Sequence, residues 1–216
     1  MNSSASIAIP ALTGRLENMG FSFSEDVLAN LAAYLGLLMK WNNAMNLVGT
    51  DSWEKTLDTL VADSFHLADF LSTIGHAPTP RTFDLGAGAG LPGIPLRMVW
   101  HEGEYLLVEV REKRALFMKT VLASVPLKQT SVFQGKAEDV FAKEIPADII
   151  ISRAFMPWRE MLSFIAKPLA LQGHAIFLTL HPAPEDIPSP WHLVAQKKYS
   201  MNKTERFFWC FTRTTP

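Results

Sequence analysis

The stretch Arg81-Thr-Phe-Asp-Leu-Gly-Ala-Gly-Ala-Gly-Leu-Pro-Gly-Ile-Pro95 constrains the fold of this 216-residue chain more than any other. Thr82 to Leu85 is short and mostly apolar. Gly86, Gly88 and Gly90 follow at alternate positions, and Pro92 stands where a missing amide costs a first helical turn little. The pattern predicts a buried strand, a glycine turn and a helix through Val99. Glycine allows positive φ and lets a ligand approach bare backbone, and amides at a helix N-terminus favour an anionic group. Three glycines also occur in turns that bind nothing, so the next strand has to decide.

That strand, Tyr105 to Val110, is apolar except for Glu109, which stands 19 residues after Gly90 (109 − 90). A carboxylate ending a buried strand is costly without partners, and the two hydroxyls of a ribose would supply two donors at about this spacing. A salt bridge to Lys113 or Arg114 is the other reading.

Strands are expected near 82–85, 105–110, 131–134, 147–151 and 173–180, with helices near 92–99, 112–124, 137–142 and 158–170. Such alternation predicts an α/β fold: a parallel sheet with helices on both faces. Trp191 to Tyr199 and Glu205 to Thr212, joined by a short polar turn, read as a hairpin at one sheet edge. Ligands bind beyond the carboxyl ends of strands in such sheets. The candidates are therefore Asp84 and Gly86 to Leu91, Glu109, Lys136 to Asp139, and Ser152-Arg153-Ala154. Upstream, Ala11 to Met19, Glu25 to Trp41 and Ser52 to Leu71 read as helices, the last broken near Ala62. Ser24 is placed as an N-cap, and Asn42-Asn43 breaks the second pattern. Gly75 to Pro80 is a stop and linker, so residues 1–75 form an N-terminal helical extension and residues 80–216 the main domain.

Asp84 to Pro95, together with Ile151-Ser-Arg-Ala-Phe155 and Lys40-Trp-Asn-Asn-Ala-Met-Asn-Leu47, resembles the glucose-inhibited division protein B family from about Leu31 to Ala170. The resemblance implies a Rossmann-like class I methyltransferase sheet, parallel with a late antiparallel strand. It further implies S-adenosyl-L-methionine as cofactor and N7 of a guanine in 16S ribosomal RNA, or the small ribosomal subunit, as acceptor. It places Gly86 and Leu91 at the methionine end, Ala137 and Glu138 at the adenine, and Arg153 on the cofactor or the incoming base. Asp84, Gly88, Gly90 and Glu109 complete the cofactor-binding set. The plain alternatives are a dipole-complementing role for Glu138-Asp139 and an ion pair from Arg153 to Glu160 or Asp84. The chain departs from the family pattern at Thr59-Leu60, where an Arg-His pair is usual, at His181-Pro182 in place of Lys-Gly, and at Phe207 in place of His.

Guanine N7 presents an in-plane lone pair, so methyl transfer needs alignment and a dry site rather than a general base. No Ser/His/Asp arrangement, His-Glu-x-x-His motif or metal-ligand cluster is present, so no catalytic residue is assigned. The single cysteine, Cys210, excludes an internal disulfide and reads as a buried thiol. No apolar run approaches the roughly 20 residues of a membrane span, and Met1 to Ser6 lack the basic start of a leader. These features fit a cytoplasmic enzyme, expected to be monomeric.

Charge is uneven. Residues 1–80 carry three basic and eight acidic side chains, for −5, which leaves 17 basic and 13 acidic, for +4, in residues 81–216. Any RNA backbone should therefore lie on the second part, where Arg111, Lys113, Arg114, Lys119, Lys197, Lys198, Lys203 and Arg206 are candidates. Three other functions stay open at this level: a methyltransferase for another RNA or a small molecule, a nicotinamide oxidoreductase, and a non-catalytic RNA- or ribosome-binding module.

Overall fold

The computed structural model describes residues 7–143 and 145–213. Met1 to Ser6, read above for a leader, lie outside the described residues. A seven-stranded sheet runs in the order β3-β2-β1-β4-β5-β7-β6. Its strands are β1 (Arg81–Leu85), β2 (Glu104–Glu109), β3 (Thr130–Gln134), β4 (Ala147–Arg153), β5 (Leu169–Thr179), β6 (Trp191–Met201) and β7 (Thr204–Arg213). The first five pair in parallel, and β7 enters antiparallel to both β5 and β6. This is the expected architecture, with the late antiparallel strand in the expected place.

The parallel strands are near-continuous apolar runs because helices cover both faces. On one face Leu107, Ile149, Ile151, Ile176, Phe208 and Cys210 join the N-terminal helices α1 (Ile9–Asn18), α2 (Glu25–Met45) and α4 (Ala62–Thr73) in one core. α5 (Gly93–Val99) and α6 (Glu112–Ser124) complete that layer. The opposite face buries Phe83, Ile150, Phe177, Trp209 and Phe211 against α7 (Ala137–Phe141) and α8 (Trp158–Ile165). Trp41 and Trp53 pack against the first core. Burial pushes the Cys210 thiol up to about 12, so it is an inert core residue.

Four local expectations are refined or corrected by the structure. α2 runs through Asn42-Asn43 to Met45 and ends at Asn46 in the left-handed region, because the Asn42 side chain ties the following loop, donating to Thr50 O at 2.7 Å and accepting from Val48 N at 2.8 Å. Ser24 occupies the N-cap of α2, but its hydroxyl makes no capping bond. The helix expected over 158–170 stops at Ile165, and Leu169 already pairs with Ala147. Pro168 lacks an amide and disfavours helical geometry at Lys167, which ends the helix there. Finally, the break expected near Ala62 is a π-helical turn over Leu57–Val61, between α3 (Trp53–Thr56) and α4.

At the amino ends of the strands, Arg97 closes the fold. Its guanidinium, 1% exposed, donates to the carbonyls of Trp100, His101, Glu102, Gly103 and Lys128 at 2.7–3.3 Å. No helix of the described residues is long and apolar enough to cross a membrane.

Candidate active site

The carboxyl ends of β1, β2, β3 and β4 lie side by side, with Leu85 opposite both Val108 and Ser152, and Glu109 opposite Gln134. Every sequence-derived site residue is brought to this edge. Gly86, Gly88 and Gly90 take φ of +73°, +60° and +77°, a region in which a side chain is strained. The Gly86 and Ala87 amides bond to Val108 O, and those of Gly90 and Leu91 to Ala87 O. The Gly88 amide donates to Glu109 Oε2 at 3.0 Å, while Glu109 Oε1 accepts from the Arg111 amide at 2.8 Å. Neither Lys113 nor Arg114 takes the carboxylate, so the salt-bridge reading of Glu109 gives way to a backbone latch.

These bonds narrow what the turn can do. With the amides of Gly86, Ala87, Gly88, Gly90 and Leu91 spent on Val108, Ala87 and Glu109, and with the following helix only seven residues long, the loop is not the nest of free amides that a pyrophosphate requires. It is a surface of close approach. A Cβ built on Gly88 would meet nothing nearer than Arg114 Nη1 at 3.6 Å, so the space before it is open to a ligand. Glu109 retains lone pairs on both oxygens, since each accepts a single bond within the protein.

Asp84 lies beneath the loop. Its carboxylate, 1% exposed, accepts from Tyr105 Oη at 3.1 Å and from the Gly93 amide. Burial raises its pKa to about 7 against the pull of those bonds and of Arg153. Gly93 is glycine for the same reason: a Cβ there would stand 2.6 Å from Asp84 Oδ2 and 2.8 Å from Tyr105 Cε1. From the helical layer, Tyr34 Oη donates to Ala89 O at 2.9 Å and pins the loop from the other side. Leu91 and Ala137 are buried, whereas Glu138 is exposed. Asp139 accepts the Lys136 amide at 3.1 Å, so it is this acid that serves the start of α7.

Arg153, the last residue of β4, pairs with neither Glu160 nor Asp84. Its Nη1 lies 3.7 Å from Asp63 Oδ2 and 3.4 Å from Leu60 O. Asp63 also accepts from Arg206 Nη1 at 2.6 Å and from Tyr199 Oη at 2.7 Å. Three of the expected RNA-facing cations are thus held by acids, Arg206 by Asp63, Lys197 by Asp69 and Lys198 by Glu205. Arg111, Lys113 and Lys119 are exposed on and just before α6, which follows the Glu109 strand.

Beyond β4 and β5 a cavity of about 540 Å³ is walled by Trp158, Phe177, Trp209, Met156 and Pro182, with Ser152, Thr179 and His181 among its polar groups. Phe155 bridges to the loop, since a Cβ on Gly86 would come within 2.7 Å of its ring. Val110, Phe155 and Leu180, which follow β2, β4 and β5, are exposed apolar side chains, and Leu180 lines this cavity. No group of His, Cys, Asp and Glu among the described residues could hold a metal ion.

Comparison with known proteins agrees with this geometry. The chain is 50% identical over 198 residues to Ribosomal RNA small subunit methyltransferase G of Nitratidesulfovibrio vulgaris (strain DP4), covering 92% of this chain and 91% of the relative. To the protein of the same name from Oleidesulfovibrio alaskensis it is 44% identical, over 90% and 89%. Among solved structures, a mutant of MtNAS in complex with S-adenosylmethionine superposes with a TM-score of 0.61 at 16% identity, over 98% of this chain and 86% of the other. TrmN from Thermus thermophilus gives 0.52 at 16%, over 70% and 47%. These two likenesses concern the fold alone. The model of the GidB family, rRNA small subunit methyltransferase G, matches residues 27–187, and the chain belongs to that family.

Proposed function

We propose that this chain transfers the methyl group of S-adenosyl-L-methionine to N7 of a guanine in 16S ribosomal RNA, within the small ribosomal subunit. The observation that carries the cofactor half is the Glu109 latch, which puts an ionisable carboxylate with spare lone pairs directly beside an open glycine turn. Those residues fit a nucleoside: Glu109 for the ribose hydroxyls, Gly86, Gly88, Gly90 and Leu91 for the methionine end, Ala137 and Glu138 for the adenine. Asp84 holds the turn from below, and Arg153 faces the cofactor or the incoming base. Bound S-adenosylmethionine supplies the electrophilic methyl group; the protein orients both reactants and keeps water out.

The acceptor half rests on the aromatic cavity beside Ser152 and Ala154. A base whose N7 is to be methylated has to leave its stack, and stacking on aromatic side chains is worth roughly 1–3 kcal/mol per base. Trp158, Phe177 and Trp209 offer that surface beside Ser152, whose strand neighbour Leu85 precedes the glycine turn. N7 needs no proton removed, so the reaction asks for no general base. Phosphate contacts fall to Arg111, Lys113 and Lys119. The helical layer of residues 1–75 serves as an extension of the catalytic domain, residues 80–216, because Leu12, Leu31 and Phe65 share one core with Leu96 and Phe117. The protein works in the cytoplasm, where small ribosomal subunits are.

Calorimetry with S-adenosylmethionine and with NAD tests the cofactor half. Binding of the first at micromolar concentration, lost in Glu109→Ala, supports it; a preference for NAD contradicts it.

A further inference from the structure

Asp63 is a carboxylate at 2% exposure on which three distant parts of the chain converge. Tyr199 of β6 donates to one oxygen at 2.7 Å; Arg206 of β7 donates to the other at 2.6 Å, and Arg153 of β4 approaches that same oxygen to 3.7 Å. Two guanidiniums thus share one negative charge. The short Arg206 bond makes the structural pair, whereas Arg153 is held at long range, helped only by Leu60 O at 3.4 Å. Leu60 belongs to the π-helical turn. Arg206 Nε is buried without a partner, so the cluster is short of negative charge, not of positive.

The Arg153 charge also acts on the glycine turn. Burial raises the pKa of Asp84, directly beneath the turn, and that of Tyr34, whose hydroxyl binds Ala89 O, and the Arg153 charge opposes the rise in each. Arg153 follows Ser152, which pairs with Leu85 immediately before the turn, and its guanidinium reaches toward Asp63. We infer that Asp63 is a positioning residue for methyl transfer: from the N-terminal helical layer it holds the Arg153 guanidinium at the turn, against repulsion from Arg206. This deepens the proposed function and rests on its reading that Arg153 serves the cofactor or the base.

The consequence is specific. Without the Asp63 charge, two like charges face each other across a partly buried gap, and Arg153, the more loosely held and at 23% side-chain exposure the freer, moves away. The helical layer is then part of the catalytic machinery as well as of the core.

The test is a double-mutant cycle in the full chain, read as the single-turnover methyl transfer rate onto unmethylated small ribosomal subunits, normalised to the number of cofactor sites titrated by calorimetry. Asp63→Asn is expected to lower that rate at least tenfold, with Asp63→Glu recovering part of it. In an Arg153→Met background Asp63→Asn should have no further effect. Tyr199→Phe, which touches only the other oxygen, should lower the melting temperature yet keep the rate within threefold. Full loss on top of Arg153→Met, or a wild-type rate per site in Asp63→Asn, overturns the inference alone. A wild-type rate in Arg153→Met overturns the reading of Arg153 as well. Should Asp63→Asn fail to fold, the Asp63→Glu cycle against Arg153→Met replaces it, with non-additivity supporting the inference and additivity overturning it.

Discussion

Gly88 and Glu109, 21 residues apart, meet through a 3.0 Å bond from the glycine amide to the carboxylate, and that contact joins the ends of β1 and β2 into one ligand-facing surface. It fixes the turn with an acceptor that still has lone pairs to offer. Glu109→Gln should therefore weaken S-adenosylmethionine binding by at least tenfold, roughly 1.4 kcal/mol. Its unfolding midpoint should fall as well, by about 1–3 kcal/mol of stability, since the amide oxygen can accept from Gly88 or from Arg111 but the NH2 leaves the other amide unpaired. Calorimetry beside denaturant unfolding separates the two effects, and unchanged affinity removes Glu109 from the site.

Gly88 and Gly93 are glycines for different reasons, so their substitutions should differ. Gly88→Val has room for its Cβ but is strained at φ +60° and fills the open space, and at least a tenfold loss of cofactor affinity is expected from a folded protein. Gly93→Ala drives a methyl group into Asp84 and Tyr105 and should cost about 1–3 kcal/mol of stability. Equal effects of the two on both readouts would contradict this division.

Asp84 makes stability depend on pH in a defined window. Burial raises its pKa to about 7 in the folded protein, against about 4 unfolded, so between those values the native state binds more protons than the unfolded state. The contribution of this group to stability accordingly falls as pH rises from about 4 to 7 and levels off above. At roughly 1.4 kcal/mol per pH unit, the fall amounts to a few kcal/mol. Urea unfolding of wild type and Asp84→Asn across this range should give curves that converge at low pH. A difference that does not vary with pH would contradict the assignment.

Arg97 sits at the opposite edge of the sheet, so its loss should touch stability alone. Arg97→Met leaves the carbonyls of Trp100, His101, Glu102, Gly103 and Lys128 without their donor and should destabilise by about 3–5 kcal/mol. Cofactor affinity of the folded fraction should be unchanged.

What the sequence made legible was local. An apolar run ending in glycines, and a carboxylate ending the next run, placed the strand ends and brought Asp84, Gly86, Gly88, Gly90, Leu91, Glu109, Ala137, Glu138 and Arg153 to one edge. The Asp63 cluster was not legible, because Tyr199 and Arg206 lie 136 and 143 residues away and each, read alone, is an ordinary surface residue. For the same reason Lys197, Lys198 and Arg206 were read as RNA-facing: charge can be counted along a chain, but partners across it cannot. Where local chemistry decides, as with Pro168 ending α8, the signal was present and was outweighed by apolar periodicity.

On the proposed function, Arg111 and Lys113, which no acid among the described residues holds, should face the RNA. Replacing Arg111 and Lys113 together by Ala should lower the salt slope of log affinity for small-subunit RNA by about 2. Lys197→Ala with Lys198→Ala should change it by less than about 1, since both lysines are paired with acids. Filter binding from low to moderate salt measures both slopes, and the reverse order would move the RNA to the β6–β7 hairpin.

Incubation of the full chain with methyl-labelled S-adenosylmethionine and unmethylated small ribosomal subunits, followed by nucleoside analysis of the recovered RNA, tests the proposed function most directly. The expected result is close to one methyl group per subunit, recovered as 7-methylguanosine and abolished by Glu109→Ala. Incorporation into another nucleoside, or none under conditions in which the cofactor binds, would contradict it.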